Sequence, residues 1–163
     1  MKVGVVTFHS AFNFGATLQT WALQKALRQL GAESCVINYH PKVIDSLYDP
    51  YEGKSGFDRT KRHWYLKLTA PERLVRFQRY SAFLKKNLTL AGDYKTYEEL
   101  EKNPPKLDAY ITGSDQVWNP YICGCPGLYL QEFVQGKTRR GSYAASFGIT
   151  ELPQNEKERF KRD

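Results

Sequence analysis

The stretch Asp108–Pro120, DAYITGSDQVWNP, decides how this chain folds. Its first part, Ala109–Thr112, is a run of β-branched and aromatic residues that is typical of a buried strand. Gly113 can adopt backbone angles that other residues avoid, so we expect the strand to end there and the chain to turn sharply. The pattern therefore predicts a strand that leaves its sheet into a polar loop.

Polar side chains follow this strand directly: Ser114, Asp115, Gln116 and Asn119, with the aromatic ring of Trp118 among them. Open α/β sheets bind ligands in the crevice outside the carboxyl ends of their strands. A polar cluster with one aromatic wall at such a point is a candidate binding site. The alternative is a structural turn, in which Ser and Asp cap a following helix while the Trp packs. The residue types alone leave both interpretations open.

Strands and helices alternate along the chain. Lys2–Phe8 is almost continuously apolar, as expected of a strand buried on both faces, and Ser34–Tyr39 predicts a second strand. Between them, Thr17–Leu30 predicts an amphipathic helix. A strand–helix–strand unit of this kind indicates a parallel sheet. The apolar stripe expected to face the sheet consists of Leu18, Trp21, Ala22, Ala26, Leu27 and Leu30.

The later elements complete an α/β fold with a Rossmann-like parallel sheet and flanking helices over residues 1–150. A basic helical excursion at about 41–103 interrupts it, and the face of its best helix is apolar at Leu74, Phe77, Tyr80, Phe83 and Leu84. The further predicted elements are helices over Asp58–Thr69, Pro71–Asn87, Thr96–Lys102 and Pro153–Asp163, and a strand over Arg140–Ala145.

The composition is that of a folded globular domain, since 41% of the 163 residues are hydrophobic. No apolar run reaches the roughly 20 residues that span a bilayer, and the first strand is too short for a signal peptide. We therefore expect a cytoplasmic protein. The three cysteines, Cys35, Cys123 and Cys125, make no disulfide framework, and the C-x-C pair has no further ligands nearby, so we expect no metal.

The net charge of +7 is concentrated between Lys54 and Lys86, a segment that contains ten Lys and Arg residues and two acidic residues. One interpretation is a solvated helix face. Another interpretation is peripheral contact with an anionic membrane surface, because aromatic side chains lie between the basic residues in sequence and such side chains prefer the level of the lipid headgroups. A nucleic-acid-binding module is a rival, but no recognised nucleic-acid motif is present, so we expect no nucleic-acid partner.

The loop His9–Ala16 joins the first strand to the first helix. Free amides at a helix N-terminus attract anions. Gly15 lets a ligand approach the backbone, and the Asn13 amide can donate or accept hydrogen bonds. The alternative is that Asn13 only forms an Asx turn. The loop has neither G-x-G-x-x-G nor a Walker lysine and does not predict nucleotide binding.

Three stretches, Phe8–Leu27, GSDQVWNP (Gly113–Pro120) and GSYAASFG (Gly141–Gly148), together resemble the polysaccharide pyruvyl transferase family. The resemblance implies transfer of pyruvate from phosphoenolpyruvate, as a ketal, onto a saccharide hydroxyl. It implies no cofactor, because phosphoenolpyruvate is a substrate. It also implies a GT-B-like architecture of two Rossmann-type halves, of which this chain is the first and is inactive alone, with residues 151–163 starting a helix towards the second.

Ketal formation requires a sugar hydroxyl to lose a proton as it attacks the central carbon of enolpyruvate. Asp115 in the signature loop and His9 at the end of the first strand are the competing candidates for the base. The small side chains of the third motif allow close approach of a ligand, or alternatively tight strand–helix packing. The resemblance implies a cleft lined by Asn13, Gly15, Gln19, Gly113, Ser114, Gln116, Trp118, Asn119, Ser146 and Gly148.

The donor carries a phosphate and a carboxylate, which call for clustered Arg or Lys. The three motifs contain no such cluster, and the resemblance implies that the donor-binding cations lie in the second half. It implies a saccharide acceptor, free or lipid-linked at the inner membrane face. A GT-B-type glycosyltransferase that uses a nucleotide-sugar is the main rival, because one fold serves many functions.

Overall fold

The computed structural model describes residues 1–40, 59–122 and 124–160 and shows a five-stranded parallel sheet with flanking helices. In chain order the elements are β1 (Lys2–Val6), α1 (Phe14–Gln29), β2 (Glu33–Tyr39), α2 (Arg59–Thr69), α3 (Pro71–Asn87), β3 (Leu90–Tyr94), α4 (Tyr97–Lys102), β4 (Ala109–Asp115), α5 (Pro126–Tyr129), β5 (Arg139–Ala145) and α6 (Gln154–Phe160).

The strand order is β3-β2-β1-β4-β5, and every neighbouring pair is parallel. The chain winds outwards in one direction from β1 to β3 and then in the other direction from β4 to β5. The order therefore reverses between β1 and β4, which is where ligands bind in open α/β sheets. The predicted Rossmann-like α/β fold is confirmed.

Apolar side chains cover both faces of the sheet because neighbouring residues of a strand point to opposite sides. Val5 belongs to a cluster with Leu23 of α1, whereas Val6 belongs to a larger cluster that includes Tyr110 and Phe133. This double burial explains why β1 is apolar at successive positions.

Strand β4 does not end at Gly113, as its sequence suggested, but continues to Asp115. It stays paired with β5, with Gly113 opposite Tyr143 and Asp115 opposite Ala145. A Cβ atom at Gly113 would lie 2.0 Å from the Tyr143 carbonyl oxygen. The glycine therefore permits a close approach of two strands instead of ending one.

Most predicted elements are present with bounds shifted by one to three residues. Helix α1 begins at Phe14 rather than Thr17, because Asn13 caps it. The sequence did not predict β3 or the short helix α5. Residues 41–58, which include the first part of the predicted excursion, lie outside the described residues, as do Cys123 and residues 161–163.

The predicted apolar stripe of α1 is correct only in part, since Trp21 and Leu27 pack against the cluster that contains Val5 and Val36, whereas its other members are exposed. Leu18 is 51% exposed and Leu30 is 84% exposed. Besides Leu23, the buried side chains of the helix are small or polar: Ala16, Thr17, Thr20 and Gln24. Hydrogen bonds make this possible, since the Thr20 hydroxyl donates to the Ala16 carbonyl (2.7 Å). A buried polar group that is paired costs little, and small side chains bring the helix close to the sheet.

Gln24 connects α1 to the starts of two strands. Its Nε2 donates to the carbonyls of Ser34 (3.3 Å) and Thr89 (3.0 Å), and its Oε1 accepts from the Thr89 amide (3.1 Å). Helix α1 ends next to these contacts in a Schellman motif, in which Gly31 has φ +83° and the Ala32 amide donates to Leu27.

Gln24→Leu should destabilise the protein by about 1–3 kcal/mol, because it removes three hydrogen bonds made by a buried side chain, including the Gln24 acceptor of the Thr89 amide. The matched control is Gln29→Leu, which changes an exposed residue of the same helix and should alter stability by less than about 0.5 kcal/mol. Urea denaturation followed by circular dichroism measures both. Similar losses in the two variants would contradict this role of Gln24.

Candidate active site

One main-chain carbonyl, that of Ser114, joins the first two sequence motifs at the point where the strand order reverses. It accepts a hydrogen bond from Thr7 Oγ1 (3.3 Å), just beyond β1. It also accepts one from Gln19 Nε2 (3.0 Å), on the first half of α1. The carboxyl ends of β1 and β4 are thereby held together with the amino end of α1.

The third motif is attached to the second through Ser146. The Ser146 amide donates to the Asp115 carbonyl (2.9 Å), and the Ser146 carbonyl accepts from the Trp118 amide (3.2 Å). The loop after β5 is thus anchored to the loop after β4 on both sides of one residue. The three motifs form one continuous edge of the sheet.

Asp115 occupies the last position of β4 in an unusual backbone conformation. Its φ of +117° lies in the region that favours glycine. Its Oδ1 accepts a hydrogen bond from the Gln116 amide (2.7 Å), which fixes the carboxylate at the strand end. No helix begins directly after Asp115, so the carboxylate is not a helix cap. Strained conformations of this kind are concentrated at functional sites.

The other side chains of the signature loop divide into internal and surface groups. Asn119 is buried, donates from Nδ2 to Gln116 Oε1 (3.2 Å) and accepts from the Tyr121 amide (3.0 Å). The Trp118 indole donates to the Tyr129 carbonyl (3.2 Å), and its ring lies 5.6 Å from that of Phe147. Asn119 and Trp118 therefore shape the loop from within.

The remaining predicted cleft residues lie at the surface of this edge. Asn13, Gly15, Gln116, Ser146 and Gly148 are exposed, and Gln19 is half-buried. Asn13 is the N-cap of α1, and its Oδ1 accepts from the Ala16 amide (3.2 Å). This contact corresponds to the Asx-type alternative for Asn13, and its predicted substrate contact stays a prediction.

His9 lies inside the same edge, only 3% exposed. Its Nε2 is 3.1 Å from Asn38 Oδ1, and its Nδ1 is 3.4 Å from the Thr7 carbonyl oxygen. The Asn38 amide is oriented by its Nδ2, which donates to Asp93 Oδ1 (3.1 Å). Both ring nitrogens thus face oxygen atoms that accept hydrogen bonds. Its predicted role as a base stays a prediction.

Two ionisable groups next to this network have shifted pKa values. The hydrogen bond from His40, followed by the charge of His40, lowers the pKa of Asp93. Burial, followed by the nearby Cys125 thiol, raises the pKa of Tyr39 to about 12. Asp93 therefore remains an anion and Tyr39 a neutral phenol at neutral pH.

Sequence patterns did not single out Thr7, Asn38 or Asp93. All three lie at or beside the carboxyl end of a strand, which is the only signal that the sequence offers. Among the described residues, no three His, Cys, Asp or Glu side chains are grouped so as to hold a metal ion. Burial raises the pKa of Cys35, so this thiol stays protonated.

The model of the polysaccharide pyruvyl transferase family matches residues 13–162. The chain belongs to this family. The matched range includes the amino end of α1 with Gln19, the signature loop and the loop after β5, whereas Thr7 lies before it. A search of the curated proteins and a search of the solved structures gave no match.

The close contact of β4 and β5 can be tested at Gly113. Gly113→Ala should cost at least about 2 kcal/mol of stability, because the new Cβ would meet the Tyr143 carbonyl and the φ of +129° disfavours a side chain. The control is Gly141→Ala in β5, where an added Cβ meets no atom within 4 Å. Thermal unfolding should separate the two variants, and equal losses would refute the close approach.

Proposed function

We propose that this pyruvyl transferase uses phosphoenolpyruvate as its donor and forms a cyclic ketal on a saccharide. The observation that carries the proposal is that the three motifs meet at one edge of the sheet, where such sheets bind ligands: Gln19 of the first motif donates to the Ser114 carbonyl of the second, and Ser146 of the third pairs with Asp115 and Trp118. The family match over the same residues supports the reaction class.

The proposed reaction joins the central carbon of enolpyruvate to two hydroxyl oxygens of one sugar. Two C–O bonds form, the bond between that carbon and the phosphate oxygen breaks, and the terminal methylene gains a proton to become a methyl group. One hydroxyl proton supplies the methyl group, the other leaves with the inorganic phosphate, and no oxidant or reductant is required.

Asp115 is the proposed base for the attacking hydroxyl. Its carboxylate is half-buried and is oriented through Oδ1 by the Gln116 amide, while a carboxylate retains a second oxygen for the substrate. Burial of His9, with both its ring nitrogens facing oxygen atoms, supports a positioning role for the imidazole instead. Gln116, Ser146 and Gly148 would contact the saccharide from the exposed rim.

We also propose that this chain supplies one wall of a two-walled, GT-B-like cleft. Several of its candidate residues lie on an exposed edge, and cations near that edge, Arg76 and Arg79 of α3 and Arg140 of β5, lie outside the three motifs. The second wall would bring the donor-binding cations. A catalytic cleft must hold both reactants in one orientation, so the chain alone would be inactive.

The experiment is a donor comparison with glycan extracted from the producing cells as the acceptor. With phosphoenolpyruvate, the longest product of the reading frame should release phosphate and add one pyruvate, less one water, to the glycan, as seen by mass spectrometry. The 163-residue chain should give no product. Sugar transfer from a nucleotide-sugar would contradict the proposal, and ketal formed by the chain alone would refute only the two-wall part.

Asp115→Asn in the active protein should lower kcat at least about tenfold, since it removes the base. An asparagine oxygen can still accept from the Gln116 amide, so the melting temperature should hardly change. A large loss of stability with activity falling only in proportion would show that the carboxylate is structural.

The second part of the proposal is that the protein makes peripheral contact with an anionic membrane through α2. Trp64 is 56% exposed on this helix, with Tyr65 and Leu68 also exposed and Lys67 Nζ 4.9 Å from the Trp64 ring centre. The aromatic residues of α3 cannot take part, because they pack inwards. No helix in the described ranges is long and apolar enough to cross a bilayer.

Vesicle co-sedimentation tests this contact. The protein should bind vesicles containing anionic lipid at low salt, should not bind neutral vesicles, and should be released by high salt. Lys61→Gln with Lys67→Gln should weaken binding, whereas Lys137→Gln, in the loop before β5, should not. Binding that is equal for both lipid types, or unaffected by salt, would contradict the proposal.

A further inference from the structure

We propose that the groove between α1 and α3 binds one amphiphilic molecule with an anionic head group and an apolar body. The groove encloses about 510 Å³ and lies beside the first turn of α1. This volume falls within the range of small-molecule sites and suits one ligand rather than a helix or a bilayer. Nothing in the proposed transfer reaction requires it.

The walls of the groove are apolar and accessible. Phe14 and Leu18 of α1 face Val75 and Phe83 of α3, and the first three of these are exposed. Large apolar side chains that are exposed together mark a binding surface, whereas single ones do not. The Leu18 side chain, predicted to face the sheet, instead forms part of this groove.

Two buried hydroxyl groups supply the polar part of the site. Thr17 is 3% exposed and Tyr80 is 5% exposed, and both line the groove. Among the described residues, neither Thr17 Oγ1 nor the Tyr80 hydroxyl has a hydrogen-bond partner. Buried hydroxyls are almost always hydrogen-bonded, so this pair indicates a polar ligand group between the two helices.

The charge of the groove selects an anion. Arg76 and Arg79 line it from α3, with the Arg76 guanidinium 5.4 Å from the centre of the Phe14 ring. Glu72 is the acid among the lining residues and lies in the first turn of α3, where the helix dipole favours it. Two guanidinium groups near two hydroxyl donors match a phosphate or a carboxylate.

Aromatic contacts hold the two sides of the groove in place. The Phe14 ring lies 4.9 Å from that of Tyr80, and Phe12 stacks on Phe77 at 4.9 Å. The loop that carries the candidate cleft residue Asn13 lies between these contacts. A ligand in the groove would therefore adjoin the candidate active site without occupying it.

Isothermal titration calorimetry with decyl phosphate, below its micelle concentration, tests the inference on the chain itself. We expect binding of one molecule per chain. Decyl glucoside, which lacks the charge, and inorganic phosphate, which lacks the chain, should each bind at least about tenfold more weakly, a difference of about 1.4 kcal/mol. A titration with decanoate shows whether a carboxylate head group can bind in place of the phosphate group.

Variants connect that binding to the groove. Arg76→Gln with Arg79→Gln should reduce the affinity for decyl phosphate to that for decyl glucoside, and Tyr80→Phe should weaken it while preserving the ring contacts. The matched control is Arg73→Gln, an exposed residue of α3 outside the groove, which should bind as the unchanged protein does. Circular dichroism verifies that each variant is folded.

Three results would overturn the inference. The first is equal affinity for decyl phosphate and decyl glucoside. The second is binding that survives the double Arg variant. The third is binding to anionic vesicles that depends on Arg76 and Arg79 although monomeric decyl phosphate does not bind, since this would assign the two cations to a membrane surface.

Discussion

The hydrogen bonds to the Ser114 carbonyl are the constraint on which the candidate site depends. Thr7 follows β1 and Gln19 lies on α1. The side chains of both residues donate hydrogen bonds to this one oxygen at the end of β4. Since parallel strands are joined only through crossovers, the ends of β1 and β4 meet although about 107 residues of chain separate them. The Ser146 contacts with Asp115 and Trp118 then attach the loop after β5 to the segment that follows Ser114.

Helix α1 serves both the fold and the site because it is polar on its buried side. Gln24 pairs with main-chain groups at the starts of β2 and β3, and Gln19 reaches the end of β4. Leu23 is the large apolar residue that the helix buries most completely against the sheet, and Leu18 faces α3. One helix thus connects the sheet, the candidate active site and the groove beside it.

The sequence predicted the α/β class, most element positions and the loops that form the candidate site, because strand periodicity and the three motifs are local signals. It did not predict β3, whose five residues, LAGDY, include a glycine with φ +73° and show no alternation. The sequence predicted that β4 ends too early, at Gly113. A glycine is compatible either with a turn or with the close approach of a neighbouring strand, and the sequence does not show whether another backbone lies beside it. From the sequence, the arginines of α3 were interpreted as part of a solvated or membrane-facing surface. The contact of Arg76 with Phe14 could not be predicted because it joins residues that are distant in sequence.

Amide hydrogen exchange in a Gln19→Leu variant tests most directly whether the Ser114 carbonyl organises this edge. We expect faster exchange at the Trp118 and Ser146 amides, because their hydrogen bonds depend on the loop after β4. Exchange at Val36 and His40, whose amides pair with the segment around β3, should stay unchanged. Unchanged exchange at Trp118 and Ser146, or a uniform increase across the sheet, would contradict the central claim.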